Sequence, residues 1–397
     1  MMTIPVTQSQ LLTKESARIT RPEIQLLLCC TRTQIDPTTE NRIKGLLQQD
    51  IDWTYLIQTS ICHSVMPLLY RSLNSTCPEA VSKSILSQLR NFYHTNAQRN
   101  LFLTSELVNL LNLFQDNGIP AIPFKGLSLA VSAYGNLVLR QFSDLDILVH
   151  KQDINRAKQL LTSHKYQLTK ELFWESHFIS EGGRVNIDLH QAITPKYFSF
   201  PVDFNELWKR LQPVSLVNRT IFTFSSEDSL LILCVYIAKD CWDKRERLIQ
   251  VCDIAELLRH QKIDWELLIE QATKLGITRI VLLGLLLANQ LLGTALPEEI
   301  LSKIQAEPTV KLLATQVCEW LFHKTDSPNV GFERKLFYLK VRERLEDIIP
   351  LLDYWITPSQ TDRDFFLLPN SLSFLYYLVR QIRLVGKYGL RIRCWQK

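Results

Sequence analysis

The fold of this chain is decided by two short stretches, Phe124-Lys125-Gly126-Leu127-Ser128 and Asp144-Leu145-Asp146-Ile147-Leu148-Val149. The first is typical of a strand that ends at a turn and continues as a helix, where a glycine allows close approach of a ligand and free N–H groups face an anion. The second is typical of a strand with two carboxylates, at Asp144 and Asp146, on one face. Together the two stretches predict a site for a phosphate-bearing ligand and its metal ions.

The pair Asp144 and Asp146 is the better metal candidate among three Asp-x-Asp pairs. The other two pairs, which we interpret as solvated loop or cap residues, are Asp50/Asp52 and Asp362/Asp364. Only the pair at 144 and 146 leads into an apolar strand. Two carboxylates on one face repel each other unless a cation lies between them, and hard oxygen ligands favour Mg²⁺ or Mn²⁺. The alternative is a solvated strand end beside Arg140.

A third carboxylate is predicted on a neighbouring strand. In Val185–His190, strand alternation places Asn186, Asp188 and His190 on one face. Asp188 would complete the cation site and act as a base toward an acceptor hydroxyl. The alternative is that these residues form the solvated face of an antiparallel strand.

The turn at Lys125-Gly126 would bind phosphate, with Lys125 supplying charge and Ser128 a hydroxyl. The sequence contains no GxxxxGK[ST] motif, which excludes a P-loop. Pro123 lies in the preceding strand and cannot donate to a strand ladder, which argues against a central position in the sheet.

Apolar periodicity predicts an α+β protein that is predominantly helical, with a small mixed β-sheet core flanked by N-terminal and C-terminal helical regions. The order strand, helix, strand, helix and hairpin marks the core, and Glu181-Gly182-Gly183 marks its hairpin turn. We expect a loose N-terminus at 1–22, helices at 23–114, the α/β core at 115–203, a helical domain at 204–323, and a linker with a basic helical tail at 324–397. Within this last region the linker is expected at 324–333, a helix at 335–352 and the tail helix at about 372–388.

The net charge of +5 is mild, and its positive excess lies in the tail. From residue 371 onward the chain has no acidic residue and six basic ones, Arg380, Arg383, Lys387, Arg391, Arg393 and Lys397. The tail would pack on the helical domain, touch an anionic membrane surface, or contact nucleic acid. Nothing resembles an RNA-reading motif.

Composition also indicates the compartment. The nine cysteines form no CxxC pair and no zinc-site spacing, which is typical of reduced thiols in a cytoplasm, and no signal peptide is evident. The most apolar run, Ile280–Ala288, is too short to span a bilayer and predicts a buried helix.

The chain resembles the uncharacterised nucleotidyltransferase family, which has a polymerase-β-like fold. Three segments together give this resemblance: Phe124–Gly126, Tyr134-Gly135 and Arg140–Val149. Other parts of the chain resemble the same family: His63–Leu69, Ile187–His190, Lys239, Trp242, Asp253–Ala255, Leu368-Pro369 and Leu375–Tyr377. The similarity extends over about residues 50–390.

The resemblance implies a metal-binding triad at Asp144, Asp146 and Asp188, with the Lys125-Gly126 turn near a triphosphate. Better-studied nucleotidyltransferases usually have Gly-Ser at this turn, whereas here Ser128 stands two residues after the glycine.

The resemblance also suggests roles for three further residues. Lys239 lies where related enzymes have a phosphate-contacting lysine, and the alternative is an ordinary surface lysine. Arg140 would bind phosphate or pair with Asp144. His190 would contact the acceptor or be a satisfied surface histidine.

The predicted function is metal-dependent transfer of a nucleoside monophosphate from an NTP, with ATP as the expected donor, to an acceptor hydroxyl, releasing pyrophosphate. The alternatives are a catalytically silent nucleotide-binding or interaction protein, and a phosphotransferase that moves the γ-phosphate. The acceptor is left open, with a small molecule or a protein favoured over RNA.

Overall fold

The computed structural model describes residues 21–389 except 217–218, 323–329, 359 and 367. Within these ranges the strands are β1 (Ala121–Pro123), β2 (Leu145–Val149), β3 (Tyr166–Glu171), β4 (Glu175–Ser180), β5 (Asn186–His190), β6 (Gln212–Leu216) and β7 (Arg219–Thr223). Short 3₁₀ segments lie at Pro78–Ala80, Leu345–Asp347 and Asn370–Leu375.

Helices account for most of the described chain. Those before and within the core are α1 (Pro22–Cys30), α2 (Pro37–Leu46), α3 (Trp53–Cys62), α4 (Met66–Thr76), α5 (Lys83–Asp116), α6 (Gly126–Ser132) and α7 (Ile154–Ser163). Those that follow are α8 (Phe204–Lys209), α9 (Ser226–Asp243), α10 (Leu248–His260), α11 (Trp265–Leu275), α12 (Thr278–Leu292), α13 (Glu298–Ala306), α14 (Pro308–Phe322), α15 (Val330–Val341), α16 (Ile349–Ile356), α17 (Gln360–Phe365) and α18 (Tyr376–Gly389). The predicted α+β class is confirmed.

The central sheet has five strands in the order β1-β2-β5-β4-β3. Only β2 and β5 are parallel, so the sheet is mixed, as predicted. The predicted hairpin is present as β4 and β5. Strand β1 lies at one edge and ends at Pro123, which is where a residue without an N–H donor is tolerated.

Two β features were not predicted. Strand β3 is largely exposed and has no apolar alternation, so the sequence gives no period-two signal there. Strands β6 and β7 form a separate two-stranded sheet in a region for which we predicted helices. These two segments contain few apolar residues, and their apolar runs are too short to distinguish a strand from a helix.

The two faces of the central sheet pack differently. Leu145, Ile147 and Val149 face a core formed with α5 and α7. On the opposite face, Leu148 belongs to a second buried cluster that includes Ile232 and Tyr236 of α9. Because strand neighbours alternate, the side chains of Asp144 and Asp146 belong to the second face.

The helices that precede the sheet in the chain share one apolar core with those that follow it. Leu27 of α1 and Leu69 of α4 belong to the same buried cluster as Val235 of α9 and Leu283 of α12. Full burial of one such side chain contributes about 1.5–3 kcal/mol. The predicted buried helix at 280–288 lies inside α12 and is almost completely inaccessible to solvent.

The C-terminal region corrects several predictions. Helix α15 already begins at Val330, inside the predicted linker at 324–333, whose first six residues lie outside the described ranges. The helix predicted at 335–352 is interrupted after Val341. The predicted tail helix at 372–388 is observed as a 3₁₀ segment followed by α18.

Asp362 is fully buried rather than solvated, so our interpretation of that residue was wrong. Its carboxylate accepts hydrogen bonds from Arg380 Nη1 at 2.8 Å and Arg383 Nε at 2.5 Å. Two of the six tail cations are therefore neutralised inside the fold. Arg391, Arg393 and Lys397 lie outside the described residues.

Two further predictions concerned the state of the cysteines and the length of the apolar helices. The eight cysteines within the described ranges are all free thiols, and most are buried. In the same part of the chain, no helix combines the length and apolarity needed to cross a bilayer.

Candidate active site

Asp146 and Asp188 face each other across the parallel strand pair. The register of β2 and β5 aligns Asp146 with Asp188 and Leu148 with His190. The chain thus brings two of the predicted carboxylates together from positions 42 residues apart, because residues aligned in a parallel pair present their side chains to the same face.

Asp144 immediately precedes β2 and belongs to the same charge cluster. Burial, then the neighbouring Asp146 and Asp188, raise the pKa of Asp144 to about 6. Among the described residues, nothing forms a hydrogen bond or ion pair with its carboxylate. The charges of the three predicted acids therefore interact, and the cluster opposes the ionisation of Asp144.

Asp146 has two cationic or hydrogen-bonding partners. Its Oδ1 lies 3.1 Å from Lys125 Nζ and 3.0 Å from His190 Nε2. Burial favours the neutral acid, but Lys125 and His190 outweigh it and lower the pKa of Asp146 below its ordinary value. Asp146 is thus an anion held ready in a largely buried position.

Asp188 contacts a histidine that we did not predict. His177 Nδ1 lies 2.6 Å from Asp188 Oδ1, and His177 Nε2 lies 3.2 Å from Glu175 Oε1. Burial and the nearby Asp146 carboxylate raise the pKa of Asp188, although His177 opposes this.

Glu175 and His177 were missed because their place depends on strand register. In the antiparallel pair, Glu175 faces His190 and His177 faces Asp188. The signal was available, since the Glu181–Gly183 turn fixes which residues of β4 and β5 are opposite one another.

The donor set fits a divalent cation. One ligand atom each from Asp146, Asp188 and His190 lie within 4.8 Å of one another. Burial raises the pKa of Asp144, and repulsion from the neighbouring carboxylates raises it further. His190 is 1% exposed, so the interpretation as a surface histidine was wrong.

The predicted phosphate turn lies beside the carboxylates. Lys125 ends the segment before α6 with a φ of +58°, a left-handed conformation that costs a non-glycine residue about 1 kcal/mol or more. Its Nζ lies 3.7 Å from the ring centroid of Tyr236 on α9. At Gly126 an added Cβ would meet Phe142 and the Asp144 carbonyl at ordinary contact distances of 3.6–3.7 Å, so packing alone does not require glycine there.

Ser128 does not face the carboxylates through a free hydroxyl. Its Oγ donates to the Pro123 carbonyl at 2.8 Å, and the residue is 3% exposed. The hydroxyl therefore joins α6 to the end of β1.

Arg140 pairs with Asp253 of α10 and not with Asp144, which corrects one of our two alternatives. Its Nε and Nη2 each donate to the Asp253 carboxylate at 2.8 Å, and Tyr134 donates to the same carboxylate at 2.8 Å. Burial would lower the pKa of Arg140, but Asp253 more than compensates and raises it. This buried pair joins the loop before β2 to the helical core.

Lys239 lies on α9 and, like Lys125, is close to the Tyr236 ring. Its Nζ is 5.3 Å from the Tyr236 ring centroid, 2.8 Å from Asp240 Oδ1 and 3.3 Å from Asp243 Oδ2. It is mostly buried, so the interpretation as an ordinary surface lysine was wrong.

A cleft of about 730 Å³ adjoins the C-terminal ends of β2 and β5. His150 follows β2 and Gln191 follows β5 along its wall, and Phe173 and Phe204 supply apolar surface. A volume of this size suits a small organic ligand.

The small mixed sheet, set between helices, thus brings three interacting carboxylates to one parallel strand pair. The chain belongs to the family described as uncharacterised nucleotidyltransferase, whose model matches residues 49–293. No curated protein matches the sequence.

Several solved structures are similar to parts of the chain. The lincosamide antibiotic adenylyltransferase LnuA with lincomycin bound is 19% identical, covers 40% of this chain and 97% of its own, and has a TM-score of 0.31. ANT(2")-Ia in complex with adenylyl-2"-tobramycin is 12% identical, covers 44% and 97%, and has a TM-score of 0.34. An antigenic nucleotidyltransferase-like protein from Paracoccidioides brasiliensis is 14% identical, covers 50% and 96%, and has a TM-score of 0.30.

Proposed function

We propose that this nucleotidyltransferase moves a nucleoside monophosphate from an NTP to an acceptor hydroxyl and releases pyrophosphate. The observation that best supports this is the cluster of Asp144, Asp146 and Asp188, whose charges interact at one end of a parallel strand pair. Carboxylates in such an arrangement hold Mg²⁺ or Mn²⁺, and such ions neutralise phosphoryl charge and orient the reacting oxygens.

The three acids share the metal site in the proposed mechanism, and one of them has a second part. Asp144, Asp146 and Asp188 would hold the cation that contacts the triphosphate. Asp188 would accept the proton of the acceptor hydroxyl, a role that suits the carboxylate with a raised pKa. His177, bonded to the same carboxylate, keeps it in a fixed orientation.

The phosphate contacts would come from two lysines. Lys125 and Lys239 both lie near the Tyr236 ring, and each forms an ion pair with a carboxylate. Arrival of a triphosphate with its metal would supply an alternative anion for both ammonium groups. Gly126 would allow backbone approach at the same turn.

Ser128 and Arg140 are left out of the nucleotide site that we propose. The Ser128 hydroxyl already donates to a strand carbonyl, and the Arg140 guanidinium is bonded through two nitrogens to Asp253. Removing either from these buried partners would leave an unsatisfied polar group.

The acceptor that we propose is a small molecule that enters the cleft beside His150 and Gln191. Its apolar and hydrogen-bonding walls suit such a ligand better than a polynucleotide, which needs a long basic track. The ion pairs of Arg380 and Arg383 with Asp362 of α17 hold two tail cations within the C-terminal region, which argues against their contact with an anionic surface.

Two labelled samples of ATP, one labelled at the α-phosphate and one at the γ-phosphate, test the reaction class. We expect label from the α position to appear on an acceptor in a cell extract, with release of pyrophosphate. Label from the γ position would instead indicate a phosphotransferase. Absence of transfer from both samples, despite nucleotide binding, would indicate a catalytically silent protein.

A further inference from the structure

His190 is placed as a ligand would be, and no role as a ligand follows from the three-carboxylate pattern. It is 1% exposed, and its Nε2 lies 3.0 Å from Asp146 Oδ1. The same imidazole lies within 4.8 Å of a carboxylate oxygen of Asp188. An imidazole nitrogen and two carboxylates thus converge on one small volume.

The other ring nitrogen of His190 is informative. Nδ1 is buried and has no hydrogen-bond partner among the described residues, but it lies 3.6 Å from Glu175 Oε2. A histidine that binds a metal through one nitrogen almost always directs its other N–H at a carboxylate or carbonyl, which fixes the tautomer. Glu175 stands where that outer carboxylate is needed.

Glu175 also fixes the second histidine of the cluster. Its Oε1 lies 3.2 Å from His177 Nε2, and His177 in turn contacts Asp188. One carboxylate on β4 therefore holds two imidazoles, one directed at Asp146 and the other at Asp188. This arrangement follows from the antiparallel register of β4 and β5.

We propose that His190 Nε2 is a direct ligand of the divalent cation, together with Asp146 and Asp188, and that Glu175 is the residue that positions His190. The inference rests on the proposed function and refines its metal site. A nitrogen ligand shifts the preference of a site from Mg²⁺ toward Mn²⁺ and other transition-metal ions, since imidazole suits those ions better.

A purely structural role for His190 is the competing explanation. In that case the imidazole donates a hydrogen bond to Asp146 and stabilises its charge, as Lys125 does, and it does not bind the cation. The two roles differ in one directly measurable quantity, which is the nuclear coupling between the bound metal and an imidazole nitrogen.

The experiment is pulsed electron paramagnetic resonance of Mn²⁺ bound to the full-length, nucleotide-free protein. We expect a ¹⁴N modulation from a directly bound imidazole in the wild type and its loss in His190→Asn. The Kd for Mn²⁺ should rise about 10-fold or more in His190→Asn and about 10- to 100-fold in Glu175→Gln. Magnesium affinity, measured by competition, should change less than manganese affinity in both variants.

His177→Asn is the matched control, because His177 contacts the same cluster but lies outside the proposed ligand set. It should keep the ¹⁴N modulation even where the Kd for Mn²⁺ rises, because His177 positions Asp188 and does not bind the ion. Circular dichroism establishes that each variant is folded, and the wild-type spectrum is informative even if a variant is not.

Two outcomes would overturn the inference. Tight Mn²⁺ binding by the wild type without ¹⁴N coupling would show that His190 is structural, and α-label transfer in the same preparation would leave the proposed function standing. Failure of Mn²⁺ to bind at all, with or without an added nucleotide, would contradict both.

Discussion

Asp146 is the most strongly held charge in the site, since Lys125 and His190 both contact it. Asp144 lies next to it and has no such partner in the part of the chain that the structure describes, and burial and the neighbouring carboxylates raise its pKa to about 6. A cation that arrives at this cluster therefore relieves repulsion at Asp144 and competes with Lys125 for Asp146. On the proposed function, the ion would therefore favour the ionised form of Asp144 more than that of Asp146.

Replacing either Asp144 or Asp146 by Asn should reduce kcat at least about 10³-fold, because the ion loses a charged ligand that acts in the transition state. The fold should persist, since Asn is nearly isosteric and the apolar core is untouched. Single-turnover transfer of α-labelled phosphate measures the effect. Asp50→Asn, in an exposed Asp-x-Asp pair, is the control and should keep wild-type activity. Near-normal kcat in both site variants would contradict the assignment.

The sequence predicted the three carboxylates because strand alternation and an apolar flank distinguish Asp144 and Asp146 from the other Asp-x-Asp pairs. It did not predict the partners of the predicted residues. Asp253 lies 113 residues beyond Arg140 in the chain, and no local pattern connects the two. Glu175 was missed for a different reason. The hairpin turn fixes the register of β4 and β5, and only that register places Glu175 opposite His190.

Among the elements, the long helix α5 and helix α10 hold the loop that leads into β2. Asn100 donates to the carbonyls of Leu137 and Arg140 at 2.6 Å and 2.9 Å, and Arg99 donates to the Ser143 carbonyl at 3.0 Å. Asp253 of α10 binds the Arg140 side chain. The position of Asp144 is therefore set by helices outside the sheet.

Asp253→Asn should lower both stability and kcat, because it unpairs a buried guanidinium next to the loop that precedes Asp144. The expected loss of unfolding free energy is about 3–5 kcal/mol, measured by urea denaturation. Activity per folded molecule should also fall, with the KM for the NTP less affected than kcat.

Glu246→Gln is the matched control for that variant. Glu246 binds Arg334 through two nitrogens at 2.6 Å and 2.9 Å, with similar burial, but does not touch the loop before β2. It should lose comparable stability and keep kcat. Equal effects of the two variants on kcat would show that the Arg140–Asp253 pair only stabilises the fold.

Two helical glycines predict opposite effects of the same substitution. At Gly284 of α12 an added Cβ would lie 2.5 Å from Cys234 Sγ and 3.0 Å from Ile254 Cδ1, so Gly284→Ala should destabilise by about 1–3 kcal/mol. At Gly45 of α2 nothing lies within 4 Å, so Gly45→Ala should stabilise by about 0.5–1 kcal/mol. Thermal unfolding measures both, and a stabilising Gly284→Ala would contradict the close packing of α9, α10 and α12.

At the level of elements, the sequence predicted helices and buried strands better than exposed strands. Helix α12 and strand β2 are apolar enough to be recognised from composition alone. Strand β3 is exposed along almost its whole length, so its strand conformation comes from hydrogen bonding to β4. Propensity and period carry no information about such an edge strand.

Across the whole molecule, His63 joins the N-terminal helices to α10. It ends α3, and its Nδ1 accepts a hydrogen bond from the Leu248 backbone N–H at 3.1 Å. Burial lowers the pKa of His63 from an ordinary value of 6.5 to about 4. The fold therefore requires the neutral imidazole at this junction.

Stability should consequently fall as the pH decreases from 6.5 to 4. The pKa is lower in the folded state, so the unfolded chain takes up the proton first, and the contribution of neutral His63 is present above pH 6.5 and lost toward pH 4. The loss amounts to about 3 kcal/mol. Urea denaturation of the wild type and of His63→Gln at several pH values isolates it, and an unchanged difference between the two proteins across this range would contradict the assignment.

The most direct test of the central claim is a crystal structure with Mn²⁺ and an ATP analogue whose α–β linkage does not cleave. We expect an anomalous manganese peak within about 2.5 Å of the carboxylates of Asp146 and Asp188, with the α-phosphate in contact with the ion and the triphosphate beside Lys125. A nucleotide bound elsewhere, with the carboxylates of Asp144, Asp146 and Asp188 free of metal, would contradict the claim.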